Sequence, residues 1–239
     1  MPTFVLIHGA WHGAWCWKHV VPLLRSHGHQ VIAPDLPGHG ADTTPAKKIN
    51  LEKYVESVCH ALDRLEEPVV LVGHSMGGII ITETAERRPD KIQVLVYVSA
   101  FLPLHGDSLA GMEERNPHTA VPPNLVPAGN GLTATVREEK ITDLFYHDCP
   151  DEDIEYAKRH LCPQAMGLLN TPVTVSDENF GRLPRYYLHC TEDRALHPEF
   201  QQTMVAAVPG TMTYTLASAH SPFFSMPDRL AEVLLEIGC

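Results

Sequence analysis

The sequence predicts an α/β fold: a mostly parallel sheet with helices on both faces and an inserted helical cap. Three observations carry this reading. Short β-branched apolar runs alternate with stretches of helical periodicity over residues 1–100 and again over 184–239. One such run, Pro68-Val69-Val70-Leu71-Val72, leads into the pentapeptide Gly73-His74-Ser75-Met76-Gly77, and helical spacing starts directly after it. Between 101 and 183 the alternation stops, and Pro103, Pro117, Pro122, Pro123, Pro127, Pro150, Pro163 and Pro172 divide the chain into short helical pieces. A stretch of that length is too long for an ordinary loop, so 101–183 is expected to be a cap, with 1–100 and 184–239 forming the core.

In chain order, residues 3–7 read as a first strand that ends in the small-residue loop His8-Gly9-Ala10-Trp11-His12-Gly13. Trp17, Val20, Val21 and Leu24 mark a helix that ends at Gly28, and 31–34 a second strand. Leu51, Tyr54, Val55, Val58, Ala61, Leu62 and Leu65 recur at helical spacing before the strand at 68–72. Ile79, Ile80, Thr84 and Ala85 continue the helix after Met76 until Arg87-Arg88-Pro89-Asp90 stops it, and 92–98 is the next strand. In the insertion, 151–161 is the clearest helix, with Asp151 as its expected N-cap. Strand 185–190, helix 198–208, strand 212–216, a loop containing His220 and a final helix through Leu230, Val233, Leu234 and Ile237 complete the chain.

With 239 residues and 44% hydrophobic content, one domain with a large core is expected. The net charge of −11, with no basic run, argues against nucleic acid or an anionic membrane as partner and favours a small neutral or apolar molecule. No signal-peptide pattern and no membrane-spanning run are read. The six cysteines, Cys16, Cys59, Cys149, Cys162, Cys190 and Cys239, show no CxxC pair, and free, mostly buried thiols in a cytoplasmic protein are expected. The fifteen histidines show no metal-ligand spacing, so neither metal nor cofactor is expected.

A strand that turns into a helix through Gly-x-Ser-x-Gly exposes the serine on a strained elbow, which makes Ser75 the candidate nucleophile. The amides of Met76 and of Ala10, in the loop after the first strand, are the candidate oxyanion donors. Asp193, just past the strand 185–190, and His220, in the loop after the last strand, supply an acid and a base in the order that such an elbow requires. Glu192 is the rival acid, and His189 and His197 are the rival bases; Asp35 sits in a Pro/Gly turn and reads as structural. Trp11, Phe101, Leu102, Phe145, Tyr146 and Met166 are expected to line a substrate pocket, alongside Leu144 and Leu168.

The stretches His8-Gly9-Ala10-Trp11-His12-Gly13-Ala14-Trp15-Cys16-Trp17, Gly73-His74-Ser75-Met76-Gly77-Gly78, Leu144-Phe145-Tyr146-His147-Asp148-Cys149-Pro150 and Cys190-Thr191-Glu192-Asp193 resemble the α/β-hydrolase family of plant methylesterases and hydroxynitrile lyases, with their bacterial esterase relatives. The resemblance spans nearly the whole chain. It implies the triad Ser75, Asp193 and His220, oxyanion donors at Ala10 and Met76, and a homodimer among the assemblies open to the chain. The lyases carry a lysine after the catalytic histidine and a cysteine after the nucleophile, where this chain has Ser221 and Met76. A carboxylic ester hydrolase acting on small apolar esters, methyl or pyrethroid-type among them, is therefore expected ahead of a cyanohydrin lyase, a non-catalytic ligand receptor or a carrier thioesterase.

Overall fold

The computed structural model describes residues 1–238, Asn130 by its backbone only. Of the cysteine assignments, Cys239 lies outside the described residues; Cys16, Cys59, Cys149 and Cys190 are buried free thiols and Cys162 is partly exposed. The first part of the chain follows the expected alternation: β1 (Phe4–Ile7), α1 (Val20–Ser26), β2 (Val31–Ile32), α2 (Leu51–Asp63), β3 (Val69–Ser75), α3 (Gly77–Arg87) and β4 (Ile92–Ala100). β2 is shorter than predicted, and Pro34, which has no N–H to donate to a ladder, stands just beyond it. α2 is started by Asn50, whose side chain accepts the Lys53 amide.

The insertion departs from the expectation of a purely helical cap. It contains α4 (Leu109–Arg115), β5 (Leu125–Ala128), β6 (Thr133–Val136), α5 (Glu138–Phe145), α6 (Asp151–His160) and β7 (Gln164–Ala165). Its strands form a small sheet in the order β5-β6-β7, antiparallel throughout. Gly129 and Gly131, both at positive φ, turn the hairpin between β5 and β6, and Pro127 sits in the edge strand, where a missing N–H is tolerated. Strands of four residues or fewer are too brief to show a period in the sequence. Asp151 is likewise not the N-cap of α6: Pro150 occupies that position, with no side-chain cap. Asp151, Glu152 and Asp153 instead set negative charge in the first turn, opposite Lys158, Arg159 and His160 in the last.

The chain then returns through β8 (Arg185–Cys190), α7 (Pro198–Ala207), β9 (Met212–Leu216), the short α8 (Pro222–Ser225) and α9 (Pro227–Gly238). Among the described residues the large sheet has six strands in the order β2-β1-β3-β4-β8-β9, and every neighbouring pair is parallel. β8 pairs beside β4, so the insertion leaves and rejoins the sheet at adjacent strands. Alternation along each strand divides the core. Val5, Ile7, Leu71 and Tyr97 pack toward α2, α3 and α7, whereas Phe4, Leu6, Val72 and Val96 pack toward α1 and α9. The end of the insertion is tied to α3 by Glu86, which accepts from Ser176 Oγ at 2.7 Å and Asn179 Nδ2 at 2.9 Å.

The passage from β3 into α3 leaves no room for side chains at its glycines. A Cβ on Gly73 would lie 2.8 Å from the Gly77 carbonyl oxygen, and one on Gly77 would lie 2.9 Å from the Ile7 carbonyl oxygen. Backbone atoms cannot swing aside as a side-chain tip would. Gly73→Ala is therefore expected to destabilise the fold by about 1–3 kcal/mol, the usual cost of overpacking, read as a lower urea midpoint at unchanged slope.

Candidate active site

Ser75 is the last residue of β3 and adopts φ +54°, a left-handed conformation that a residue with a Cβ rarely takes. Met76 follows as the N-cap of α3, so the serine stands at the positive end of that helix. Neither the Met76 amide nor the Ala10 amide donates to a protein acceptor among the described residues, and both residues border the same cavity as Ser75. Their N–H groups are thus free to meet an oxygen that gains negative charge.

Asp193 and His220 arrive from the loops after β8 and β9. Because all six strands are parallel, those loops emerge at the edge where β3 delivers Ser75. His220 Nδ1 lies 2.7 Å from Asp193 Oδ2, and both residues are almost completely buried. Asp193 is held by further donors: the amides of Ala195 (2.7 Å) and Leu196 (2.8 Å) reach Oδ1, and the Ser99 hydroxyl reaches Oδ2. The ring is oriented from its backbone as well, since His74 Nε2 donates to the His220 carbonyl at 2.8 Å. Ser75 and His220 share the cavity, although no hydrogen bond joins their side chains among the described residues. Such contacts commonly tighten only when substrate seats.

The rival groups are engaged elsewhere. Glu192 points to solvent, His189 lies within β8, and His197 caps α7 by accepting the Glu199 amide. Asp35 accepts the amides of Ala14 (2.7 Å) and Ala41 (2.9 Å), the turn role read from the sequence. Two imidazoles near His220 are held neutral by their surroundings. Burial, reinforced by the neighbouring imidazoles, keeps His74 well below the usual imidazole range. Burial likewise takes His12 down to about 3. His12 Nδ1 donates to the Ala10 carbonyl at 2.7 Å, and its Nε2 accepts from the Tyr146 hydroxyl at 2.6 Å.

The cavity has a volume of about 360 Å³. Of the expected pocket residues, Trp11, Phe101, Phe145 and Met166 line it. Leu102 and Tyr146 do not. Leu102 is packed in the core against Met204, and Tyr146 is fully buried with its hydroxyl on His12. Leu144 and Leu168 are also core residues. An apolar side chain that packs inward has the same sequence signature as one that faces a cavity. Gln164, which had no such signature, lines the cavity while its side chain accepts from His39 Nε2 at 3.0 Å and donates to Tyr54 Oη at 2.9 Å.

The whole arrangement has counterparts. The sequence matches the Alpha/beta hydrolase family over residues 4–233. The chain belongs to that family. Methylesterase 2 from Arabidopsis thaliana is 33% identical over 98% of this α/β-hydrolase and 95% of the plant protein. A pyrethroid hydrolase from Sphingobium wenxiniae is also 33% identical, over 98% of this chain and 86% of its own. Among solved structures, polyneuridine aldehyde esterase superposes with a TM-score of 0.89 at 30% identity, covering 100% of both chains.

Away from its cavity, the α/β-hydrolase brings His118, His197 and Glu199 together at the surface, with ligand-capable atoms within 4.8 Å of one another. His118 comes from the insertion and the others from the start of α7, so no sequence spacing announced the group. His118 Nε2 is bonded to Glu199 Oε2 at 2.8 Å. Within the buried site, Ser99 is a second residue that sequence reasoning missed; it holds φ +38° near the end of β4 and donates to a carboxylate that is almost completely buried. Ser99→Ala is expected to cost about 1.5–3 kcal/mol, the range for a hydrogen bond to a charged group, measured by equilibrium denaturation at neutral pH.

Proposed function

We propose that this α/β-hydrolase is a carboxylic ester hydrolase that works through an acyl-serine intermediate, with Ser75, His220 and Asp193 as its catalytic triad. The observation that carries the reading is the buried Asp193–His220 pair, which ends in the same cavity as a serine held at positive φ. The methylesterase and esterase names borne by similar proteins support it.

In the forward step, His220 takes the Ser75 proton as Oγ attacks the ester carbonyl, and the imidazolium is stabilised by Asp193. The carbonyl oxygen becomes an oxyanion between the Ala10 and Met76 amides, a term worth about 2.7–4 kcal/mol per donor in comparable sites. Collapse of the tetrahedral intermediate expels the alcohol, which receives the proton from His220. Water then repeats the cycle on the acyl-serine. We assign 101–183 as a cap over the core formed by 1–100 and 184–239; Glu113, Thr119, Leu125, Phe145 and Met166 on it line the same cavity as Ser75. A largely apolar lining suits small apolar esters, methyl and pyrethroid-type esters among them. Cyanohydrin cleavage is not favoured, because Ser221, a buried neutral residue, stands where a lysine would stabilise cyanide.

Ser75→Ala is expected to lower kcat/KM on p-nitrophenyl butyrate by about 10³-fold or more while the circular dichroism spectrum stays that of the wild type. Retained turnover would sink the assignment. The pH profile offers a separate check. A neutral imidazole is needed to accept the serine proton, and His74 and His12 remain neutral well into acid because burial lowers both. Activity is therefore expected to fall on the acid side along a limb to which neither His74 nor His12 adds a proton. A limb steepened by proton uptake at either ring would contradict this.

A further inference from the structure

Two carboxylates line the cavity, and neither is assigned a step in the proposed acyl transfer. Glu113, near the end of α4, lines the cavity together with Ser75 and His220 and is half-buried there. Its Oε2 accepts from the Thr119 hydroxyl. Asn116, which ends α4, is buried, and its Nδ2 has no hydrogen-bond partner among the described residues. Burial raises the Glu113 carboxyl above the ordinary carboxylate range, against the opposing pull of the Thr119 hydroxyl and His220. Glu114 borders the same cavity from a more exposed position, and the described lining includes no lysine or arginine.

A carboxyl group in a largely apolar cavity that holds no lysine or arginine sorts ligands by charge. An anion placed beside it meets a like charge or must hold the carboxyl protonated, and either course is costly out of water. A hydroxyl or ammonium group instead forms a charge-assisted hydrogen bond and relieves the cost of burying the carboxylate. We propose that Glu113 sets the substrate class of this site: esters whose remote end carries a hydrogen-bond donor, ammonium ahead of hydroxyl, with esters that carry a remote carboxylate rejected. The proposal rests on the cavity being the ester site. Its role is specificity, not chemistry.

The test separates binding from turnover. Hexylammonium, hexanol and hexanoate are titrated into wild type and Glu113→Gln, followed by tryptophan fluorescence, since Trp11 lines the cavity. Methyl esters of ω-aminohexanoic acid, heptanoic acid and adipic acid (as the monoester) are compared by kcat/KM in parallel. The wild type is expected to bind hexylammonium at least about tenfold more tightly than hexanoate, and Glu113→Gln to remove most of that ratio, with the ester ratios moving alike. A wild type that prefers hexanoate, or a folded Glu113→Gln that keeps the ratio, overturns the proposal. If Glu113→Gln does not fold, Thr119→Val, which strips the hydroxyl from the carboxyl and should shift the same ratio, takes its place. Charge-sorted binding with no Ser75-dependent hydrolysis would leave the sorting of ligands by Glu113 standing and bring down the esterase reading, and with it the ester part of the proposal. Hydrolysis with a ratio indifferent to residue 113 would do the reverse.

Discussion

At Ser75 a strand must become a helix within a single residue, and that backbone constraint organises the molecule. The φ of +54° turns the hydroxyl out of the sheet, and the reversal works only where neighbouring backbones come within contact distance. Gly77 meets the carbonyl of Ile7, and Gly78 would place a Cβ 2.1 Å from the carbonyl oxygen of Phe101. The elbow is thus clamped between the end of β1 and the end of β4. The loops that follow those strands carry Ala10 and, beyond Phe101, the whole insertion. A parallel sheet does the rest, because it delivers every strand's following loop to one edge.

Around that edge most buried polar groups find partners, although His74 Nδ1 and Ser221 Oγ have none among the described residues. Asp193 receives two amides, a hydroxyl and an imidazole, which is what allows a carboxylate to sit almost wholly out of water. His74 and His12 contribute as neutral rings, and their burial is what keeps them so. His74 fixes the His220 backbone, and His12 links the Ala10 loop to Tyr146 in the insertion. The same hydrogen bonds that satisfy buried groups therefore register the insertion against the core.

The insertion gives the cavity its character. The sheet edge contributes Ser75, Asp193 and His220. The walls come from α4, the small antiparallel sheet and α5, where little constrains the choice of side chain except packing. A carboxyl among those walls is costly to keep there and has no packing advantage over leucine or methionine. That contrast is why Glu113 reads as a selective element in a largely apolar lining.

The order of strands and helices outside the insertion, the elbow at Ser75, the positions of Asp193 and His220 and the turn role of Asp35 were legible in the sequence. Each depends on local rules: a period of two or near four, a glycine where a Cβ cannot fit, a residue just past a strand end. Pairs far apart in the chain were not legible. Ser99 finds Asp193, His118 finds His197, and Gln164 finds Tyr54 only after the sheet has assembled. The short strands of the insertion were hidden because four residues hold no measurable period. The fates of Leu102 and Tyr146 were hidden because burial in a core and exposure to a cavity select the same apolar side chains. Sequence set which residues stand at the edge of the sheet, where geometry is local; tertiary packing decided the walls, where contacts are made between residues that no spacing relates.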